Sequence, residues 1–196
     1  TFSGAILLGA TNKTFCRDRN VVYQSGIYNA AIHNCVIGDD VYIAKISNYI
    51  ANYNIAEGVF IENVDRINAT GESTYGNGVQ VSVLNESGGR EVPIYDRLSA
   101  HVAYFIAMYR HKPQLINSLR SSITEYAQKQ RSDQGIIGRN SVILNSGVIL
   151  DVKIGECARI EGAARLSNGT IASTSAAPVK VGVNVVASDF IIMSGA

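Results

Sequence analysis

Large aliphatic side chains recur every six residues over much of this chain. The period is neither the 3.6 of a helix nor the two of an exposed strand. A unit of six is one short strand plus one turn, and its single inward side chain is buried only when units stack. This pattern is typical of a parallel β-helix, a solenoid of hexapeptide repeats. The inward positions that it predicts are Ile37, Ile43, Tyr49, Ile55, Ile61 and Ile67, then Ile137, Ile143 and Ile149, then Ile154, Ile160 and Leu166.

Glycine follows the aliphatic residue in several of these units, at Gly38, Gly138, Gly155 and Gly182. Glycine adopts positive φ at little cost, whereas other residues do not. The pattern therefore predicts a turn at these positions that needs such a backbone conformation.

The six-residue period divides a single domain (residues 1–196) into four parts. Residues 22–70 and 135–196 form two hexapeptide blocks, and residues 71–93 are a glycine-rich segment that we expect to project as a loop or hairpin. Over residues 94–131 the apolar spacing becomes helical, for example at Leu98, Val102 and Phe105, and Pro113 suits the first turn of a second helix. We therefore expect a helical hairpin inserted into the solenoid.

The composition of the chain argues against several classes of function. The chain has 17 basic and 16 acidic residues, so no overall charge favours nucleic acid. No apolar run reaches membrane-spanning length, which favours a cytoplasmic protein without a membrane partner. The three cysteines, Cys16, Cys35 and Cys157, show no C-x-x-C spacing, so neither a disulfide framework nor a metal site is predicted.

The hexapeptide motifs carry a resemblance to a protein family. The segments "IGDDVY", "IAEGVF", "IGRNSV" and "IGECAR" are similar to the repeats of left-handed parallel β-helix proteins. Longer stretches such as "SGIYNAAIHNCVIGDDVYI" and "APVKVGVNVVASDFIIMSG" resemble an uncharacterised bacterial hexapeptide-repeat family often labelled as related to UDP-N-acetylglucosamine pyrophosphorylase. The resemblance implies a mainly β, left-handed β-helix, a homotrimer, and a chain that is the core fragment of a longer protein.

The same resemblance directs attention to His33. Acyltransferases of this fold use a projecting His as general base on a sugar hydroxyl or amine, with acyl-CoA as co-substrate. His33 is two residues after Ala31 in the six-residue register, so we expect it to point outward. Asn34, Asn52 and Asn54 are the candidate sugar contacts, with the alternative that stacked Asn residues only stabilise the turns.

The glycine-rich segment supplies two further candidates, Glu86 and Arg90, for binding the substrate and its phosphates, because loops on rigid scaffolds often carry binding residues. A basic helical insertion could also gather phosphates, although charged helix faces more often serve solubility. The chain contains no P-loop and no Rossmann fingerprint, so nucleotidyl transfer is disfavoured relative to acyl transfer.

Two functions stay open from the sequence. One is a transferase-like protein of sugar-nucleotide metabolism that acylates a nucleotide-linked or amino sugar, with His33 as catalytic base. The other is a non-catalytic β-helical scaffold or oligomerisation module of a larger protein. Whether the chain is an enzyme is not decided by these residues, because function resides in sites and not in folds.

Overall fold

The computed structural model describes residues 1–17, 21–83 and 88–196. Most elements are strands, and the two helices come in the middle of the sequence, between two series of strands. The elements in chain order are β1 (Phe2–Leu8), β2 (Thr14–Arg17), β3 (Val21–Gln24), β4 (Gly26–Tyr28), β5 (Ile32–Ile37), β6 (Tyr42–Ile46), β7 (Ile50–Ala51), β8 (Tyr53–Ile55), β9 (Phe60–Asn68), β10 (Gln80–Val81), β11 (Val92–Pro93), α1 (Ala100–Met108), α2 (Pro113–Lys129), β12 (Gly135–Ile137), β13 (Val142–Ile154), β14 (Arg159–Glu161), β15 (Arg165–Ile171), β16 (Lys180–Val181) and β17 (Val186–Ile192).

Six of these strands pair in parallel and close into a ring. Strand β5 pairs with β7, β7 with β9, and β9 with β13. Strand β13 then pairs with β12, β12 with β8, and β8 with β5. The result is a closed six-stranded parallel barrel. Further strands extend it, among them β1 beside β5, β6 beside β9, and β15 and β17 beyond β13.

The predicted left-handed β-helix is therefore wrong, and so is the description of the chain as a hexapeptide-repeat solenoid. The finding that overturns it is the closure of the ring. Strand β12 lies between β8 and β13, so residues 135–137 join residues 53–55 to Ile154 across the whole insertion. A six-residue period identifies which side chain points inward, but it carries no information on which distant strands pair.

The inward direction of the aliphatic residues is confirmed. They form one buried cluster inside the barrel, and Tyr49 is the exception: its side chain is half-buried, while the next residue, Ile50, is fully buried. The members of the six-residue series that are buried are Ile37, Ile43, Ile55, Ile61, Ile67, Ile137, Ile143, Ile149, Ile154, Ile160 and Leu166.

The reason predicted for the glycines is wrong. None of the four glycines that follow an aliphatic residue has positive φ. Instead, a Cβ atom at Gly138 would lie 2.4 Å from the Glu156 backbone nitrogen, and one at Gly155 would lie 2.3 Å from the Ser173 backbone oxygen. These glycines are needed because neighbouring strands approach closely, except at Gly182, where an added Cβ would meet nothing within 4 Å.

The chain bends at residues in the left-handed region, and most of the non-glycine residues among them are Asn or Asp. Asn and Asp tolerate this conformation better than other non-glycine residues because their short polar side chains hydrogen-bond locally. The bonds run from strand to strand: the Asn63 amide donates to Asn145 Oδ1 at 2.8 Å, and the Asn168 amide donates to Asp189 Oδ1 at 2.6 Å. The Asn and Asp residues with positive φ are Asn29, Asn34, Asp40, Asn52, Asn63, Asn140, Asn145, Asp151, Asn168, Asn184 and Asp189.

The helical spacing is matched by α1 and α2. Helix α1 begins after Ser99, whose side chain accepts a hydrogen bond from the Val102 backbone nitrogen, and α2 has Pro113 in its first turn. Both helices pack on β11 through a small cluster that includes Val92, Ile106 and Ile123. No helix in the described residues is long and apolar enough to cross a membrane.

Candidate functional site

His33 lies on a flat outer surface built from neighbouring parallel strands. Ser3, His33, Ala51 and Asn68 are consecutive partners across β1, β5, β7 and β9. Side chains on either side of an inward residue point outward in a strand, so these residues form one row across the surface. The row alternates large and small side chains, and Ala51 is the small one between His33 and Asn68.

The small residues leave a cavity of about 570 Å³ beside His33. Tyr49 and His33 contribute large side chains, whereas Ala31 and Ala51 contribute only methyl groups. We call this cavity the His33 pocket. Its lining residues are Thr1, Ser3, Ala31, Ile32, His33, Tyr49, Ala51, Asn52 and Asn68.

Strand β1 positions the imidazole of His33. Its Nδ1 is hydrogen-bonded to Ser3 Oγ at 2.9 Å. The register of β1 against β5 shifts between Ser3 and Ile6, and Gly4 within that irregularity has a φ of +69°. A Cβ at Gly4 would lie 3.0 Å from His33 Cε1, so the glycine lets β1 approach the ring closely. The second ring nitrogen, Nε2, has no hydrogen-bond partner among the residues that the structure describes.

Asn34 and Asn52 form a ladder at the edge of the pocket. The Asn34 amide donates to Asn52 Oδ1 at 2.9 Å, and the Asn52 amide donates to the Ala69 carbonyl oxygen at 2.8 Å. Both residues have positive φ, +50° and +57°. The ladder thus connects two bends of the chain, and whether it also contacts a ligand stays a prediction. Asn52 still lines the pocket, whereas Asn34 does not.

Two other predicted site residues, Asn54 and Arg90, do not line the His33 pocket. Asn54 is exposed in β8. Arg90 is half-buried and lies two residues after Gly88, whose carbonyl oxygen accepts a hydrogen bond from Arg110 of the insertion. Glu86 lies outside the described residues.

Ser3, Tyr49 and Asn68 are among the pocket residues that the sequence does not predict. Tyr49 was assigned to the core because the six-residue count falls on it, although Ile50 takes the inward position. Asn68 follows the inward Ile67, and its side-chain amide makes no hydrogen bond to any described residue. Reading the segment "NYIANYNI" from Ile50 instead of Tyr49 would have placed the tyrosine on the outer surface.

No cysteine lines the His33 pocket. Cys35 is buried in the barrel, and burial raises the pKa of its thiol. Within residues 1–17, 21–83 and 88–196, no group of three or more His, Cys, Asp or Glu side chains could hold a metal ion.

Comparisons with known proteins identify a family but no activity. Residues 1–196 match the family described as "Domain of unknown function (DUF4954)". An "Uncharacterized protein" of Treponema pallidum (strain Nichols) is 24% identical over 196 aligned residues, which cover 94% of this chain and 27% of that relative. The chain thus spans about a quarter of the length of the relative that it matches. No solved structure matches the chain significantly.

These findings correct the resemblance drawn from the motifs. The assignment to a hexapeptide-repeat family labelled as related to UDP-N-acetylglucosamine pyrophosphorylase is wrong, because the matching family and the relative carry no such description. The short motifs misled because aliphatic-Gly pairs at a period of six also arise in a closed parallel barrel with tightly spaced backbones.

Proposed function

We propose that this chain, which belongs to the DUF4954 family, binds a hydroxyl- or amine-bearing ligand of the sugar class in the His33 pocket. The chain then acts on this ligand as a transferase. His33 serves as the general base. The observation that carries the proposal is an exposed imidazole held at Nδ1 by Ser3 Oγ, on the wall of a cavity of about 570 Å³.

The hydrogen bond to Ser3 gives His33 a defined role. When Nδ1–H donates to Ser3 Oγ, the neutral imidazole keeps its lone pair on Nε2. Nε2 then accepts the proton of a ligand hydroxyl or amine as that group attacks an electrophile. Histidine suits this task because its pKa ordinarily lies near neutral pH.

The rest of the pocket suits a sugar. Aromatic rings provide a flat apolar surface for the C–H faces of a sugar, and amides provide both donors and acceptors for its hydroxyls. Tyr49 supplies the ring, and Asn68 supplies an amide that is not engaged by any described residue. Asn52 contributes less, because its amide nitrogen is already bonded to the Ala69 carbonyl oxygen.

Several finer predictions remain proposals. Acyl transfer from acyl-CoA to a nucleotide-linked or amino sugar fits a base at His33: the ligand oxygen or nitrogen would attack the thioester carbonyl carbon, and the CoA thiolate would leave. Homotrimer formation and a role in sugar-nucleotide metabolism have no support beyond the sequence. The cytoplasmic location is supported by three cysteines that are all free thiols.

A non-catalytic scaffold is the second candidate, and the outer strands favour it. Within the described residues β17 pairs with β15 alone, so its other edge is open. Val183 and Val186 are exposed beside that edge, at 71% and 67%. An open edge with apolar neighbours can accept a further strand from another part of a longer protein or from another chain.

The test compares His33→Gln with His101→Gln. His101 is exposed on α1 and does not line the pocket, so its substitution is a matched control. Calorimetric titration with glucosamine, N-acetylglucosamine and UDP-N-acetylglucosamine measures binding, and incubation of each sugar with acetyl-CoA measures release of free thiol. The proposal expects saturable binding of at least one sugar to the wild type, and product formation that only His33→Gln abolishes. Absence of binding to every sugar would overturn it and favour the scaffold.

A further inference from the structure

Arg66 does not itself line the His33 pocket, but its side chain lies against Tyr49, which does. It is in β9, where the Ile67 backbone nitrogen donates to the Tyr49 carbonyl oxygen at 3.1 Å, so Arg66 is next to Tyr49 across the strands. Its guanidinium carbon is 5.9 Å from the centroid of the Tyr49 ring. Asn68, two residues further along the same strand, lines the pocket. The cation is thus held at a fixed place beside the cavity.

The charge of Arg66 is not neutralised within the described structure. No described carboxylate forms an ion pair with it, and the neighbouring Asp65 accepts a hydrogen bond from the Asn48 amide at 2.7 Å. The Nε atom of Arg66 is buried and has no hydrogen-bond partner among the described residues. A buried donor without a partner is rare in folded proteins. Because the protein itself encloses this atom, as it encloses Arg120 Nε, an anion would be bound by the terminal nitrogens of the Arg66 guanidinium.

A second unpaired arginine lies on the same surface. Arg66 pairs with Val148 in the strand register, and Val148 pairs with Arg165. The two arginines are two strand spacings apart, which is roughly 9–10 Å between their backbones. Arg165 is exposed and forms no ion pair with a described residue. With Val148 between them, the surface beside the pocket carries two positive charges and no acidic residue in that row.

We propose that the ligand of the His33 pocket carries an anionic group, a carboxylate or a phosphate, and that Arg66 binds it. This inference rests on the proposed function and names the class of ligand: an acidic or phosphorylated sugar. The Arg66 guanidinium offers several N–H donors in one plane, which match the oxygens of either anion. Tyr49 holds the guanidinium in place, and Arg165 adds to the local positive potential.

The test is calorimetric titration with glucosamine, glucosamine 6-phosphate, glucuronate and inorganic phosphate. We expect the wild type to bind at least one charged sugar about tenfold or more tightly than glucosamine, because an ionised partner strengthens the hydrogen bonds of arginine. Comparison of the two charged sugars separates a phosphate from a carboxylate. Arg66→Gln should remove the preference. Arg139→Gln removes an exposed arginine that pairs with Glu57 and is not against Tyr49, and it should retain the preference.

Each result decides a separate question. Equal affinity for glucosamine and for the two sugars that carry an anionic group, or a preference that survives in Arg66→Gln, would overturn the anion site and leave the proposed function in place. Binding of inorganic phosphate that depends on Arg66, with no sugar bound, would overturn the sugar function alone. Binding of no probe would overturn both. Because Arg66 packs on Tyr49, thermal unfolding must show that Arg66→Gln is folded. Arg165→Gln, which changes an exposed side chain, serves as the second variant. It should lower the affinity for the charged sugars about two- to fivefold.

Discussion

Substitution of Tyr53 by Phe tests how the barrel is held closed. Tyr53 is in β8, is fully buried, and reaches a strand that is 99 residues away in the sequence. Its hydroxyl donates to the Val152 carbonyl oxygen at 2.8 Å and accepts from the Val152 backbone nitrogen at 3.2 Å. Burial raises the pKa of this hydroxyl far above its usual value.

The expected loss of stability follows from these contacts. Phenylalanine keeps the ring, which packs closely on Gly135, and removes only the oxygen. Removing one partner of a buried hydrogen bond costs about 1–3 kcal/mol, because the group left behind loses its partner in a site without water. At an m-value of about 2 kcal/mol/M, this lowers the urea midpoint by about 0.5–1.5 M.

The assay is urea unfolding followed by far-UV circular dichroism, with Tyr104→Phe as the control. Tyr104 is 55% exposed on α1, so loss of its hydroxyl should leave the free energy of unfolding unchanged within about 0.5 kcal/mol. If Tyr53→Phe unfolds at the same urea concentration as Tyr104→Phe, the bond between β8 and β13 does not stabilise the barrel and the reasoning is refuted.

Two further predictions concern close packing and thiol reactivity. Gly138→Ala places a Cβ 2.4 Å from the Glu156 backbone nitrogen and should lower the free energy of unfolding by at least about 2 kcal/mol. Gly182→Ala, with open space around it, should leave the stability unchanged. Equal melting temperatures of the two variants in thermal unfolding would contradict this. Burial raises the pKa of Cys35, so at pH 8 it should react with iodoacetamide far more slowly than the exposed Cys16, as mass spectrometry can follow. Because the folded state holds the Cys35 proton more tightly than the unfolded state, its contribution to stability is full below the ordinary thiol pKa and decreases as pH rises through the raised value.

The sequence predicts the inward side chains well because buried positions carry apolar residues at a regular spacing along the chain. A buried aliphatic such as Ile43 or Ile61 is required wherever a strand faces the core, whichever strand lies beside it. The closed ring leaves no such regular spacing in the sequence. The pairing of Ile55 with Ile137 spans the insertion, and its partners are fixed by packing in three dimensions.

The site was found in part for a similar reason. His33 is exposed, as predicted, because it follows the inward Ile32, although the six-residue count takes Ala31 as the inward position. The residues around His33 come partly from β1, which has no six-residue period. They also include Tyr49, which the six-residue count places inward although the inward residue is the next one, Ile50. Arg66 is not predicted as a site residue because only the strand pairing shows that its guanidinium lies against Tyr49 and forms no ion pair with a described carboxylate.

The most direct test of the central claim is nuclear magnetic resonance of the three histidine side chains during titration with glucosamine and glucosamine 6-phosphate. The His33 resonance is assigned by its disappearance in His33→Gln. The account predicts a saturable shift of the His33 signals with at least one of the two sugars, while the signals of His101 and His111 on the insertion stay in place. No shift of the His33 signals with either sugar, or equal shifts at all three histidines, would contradict it.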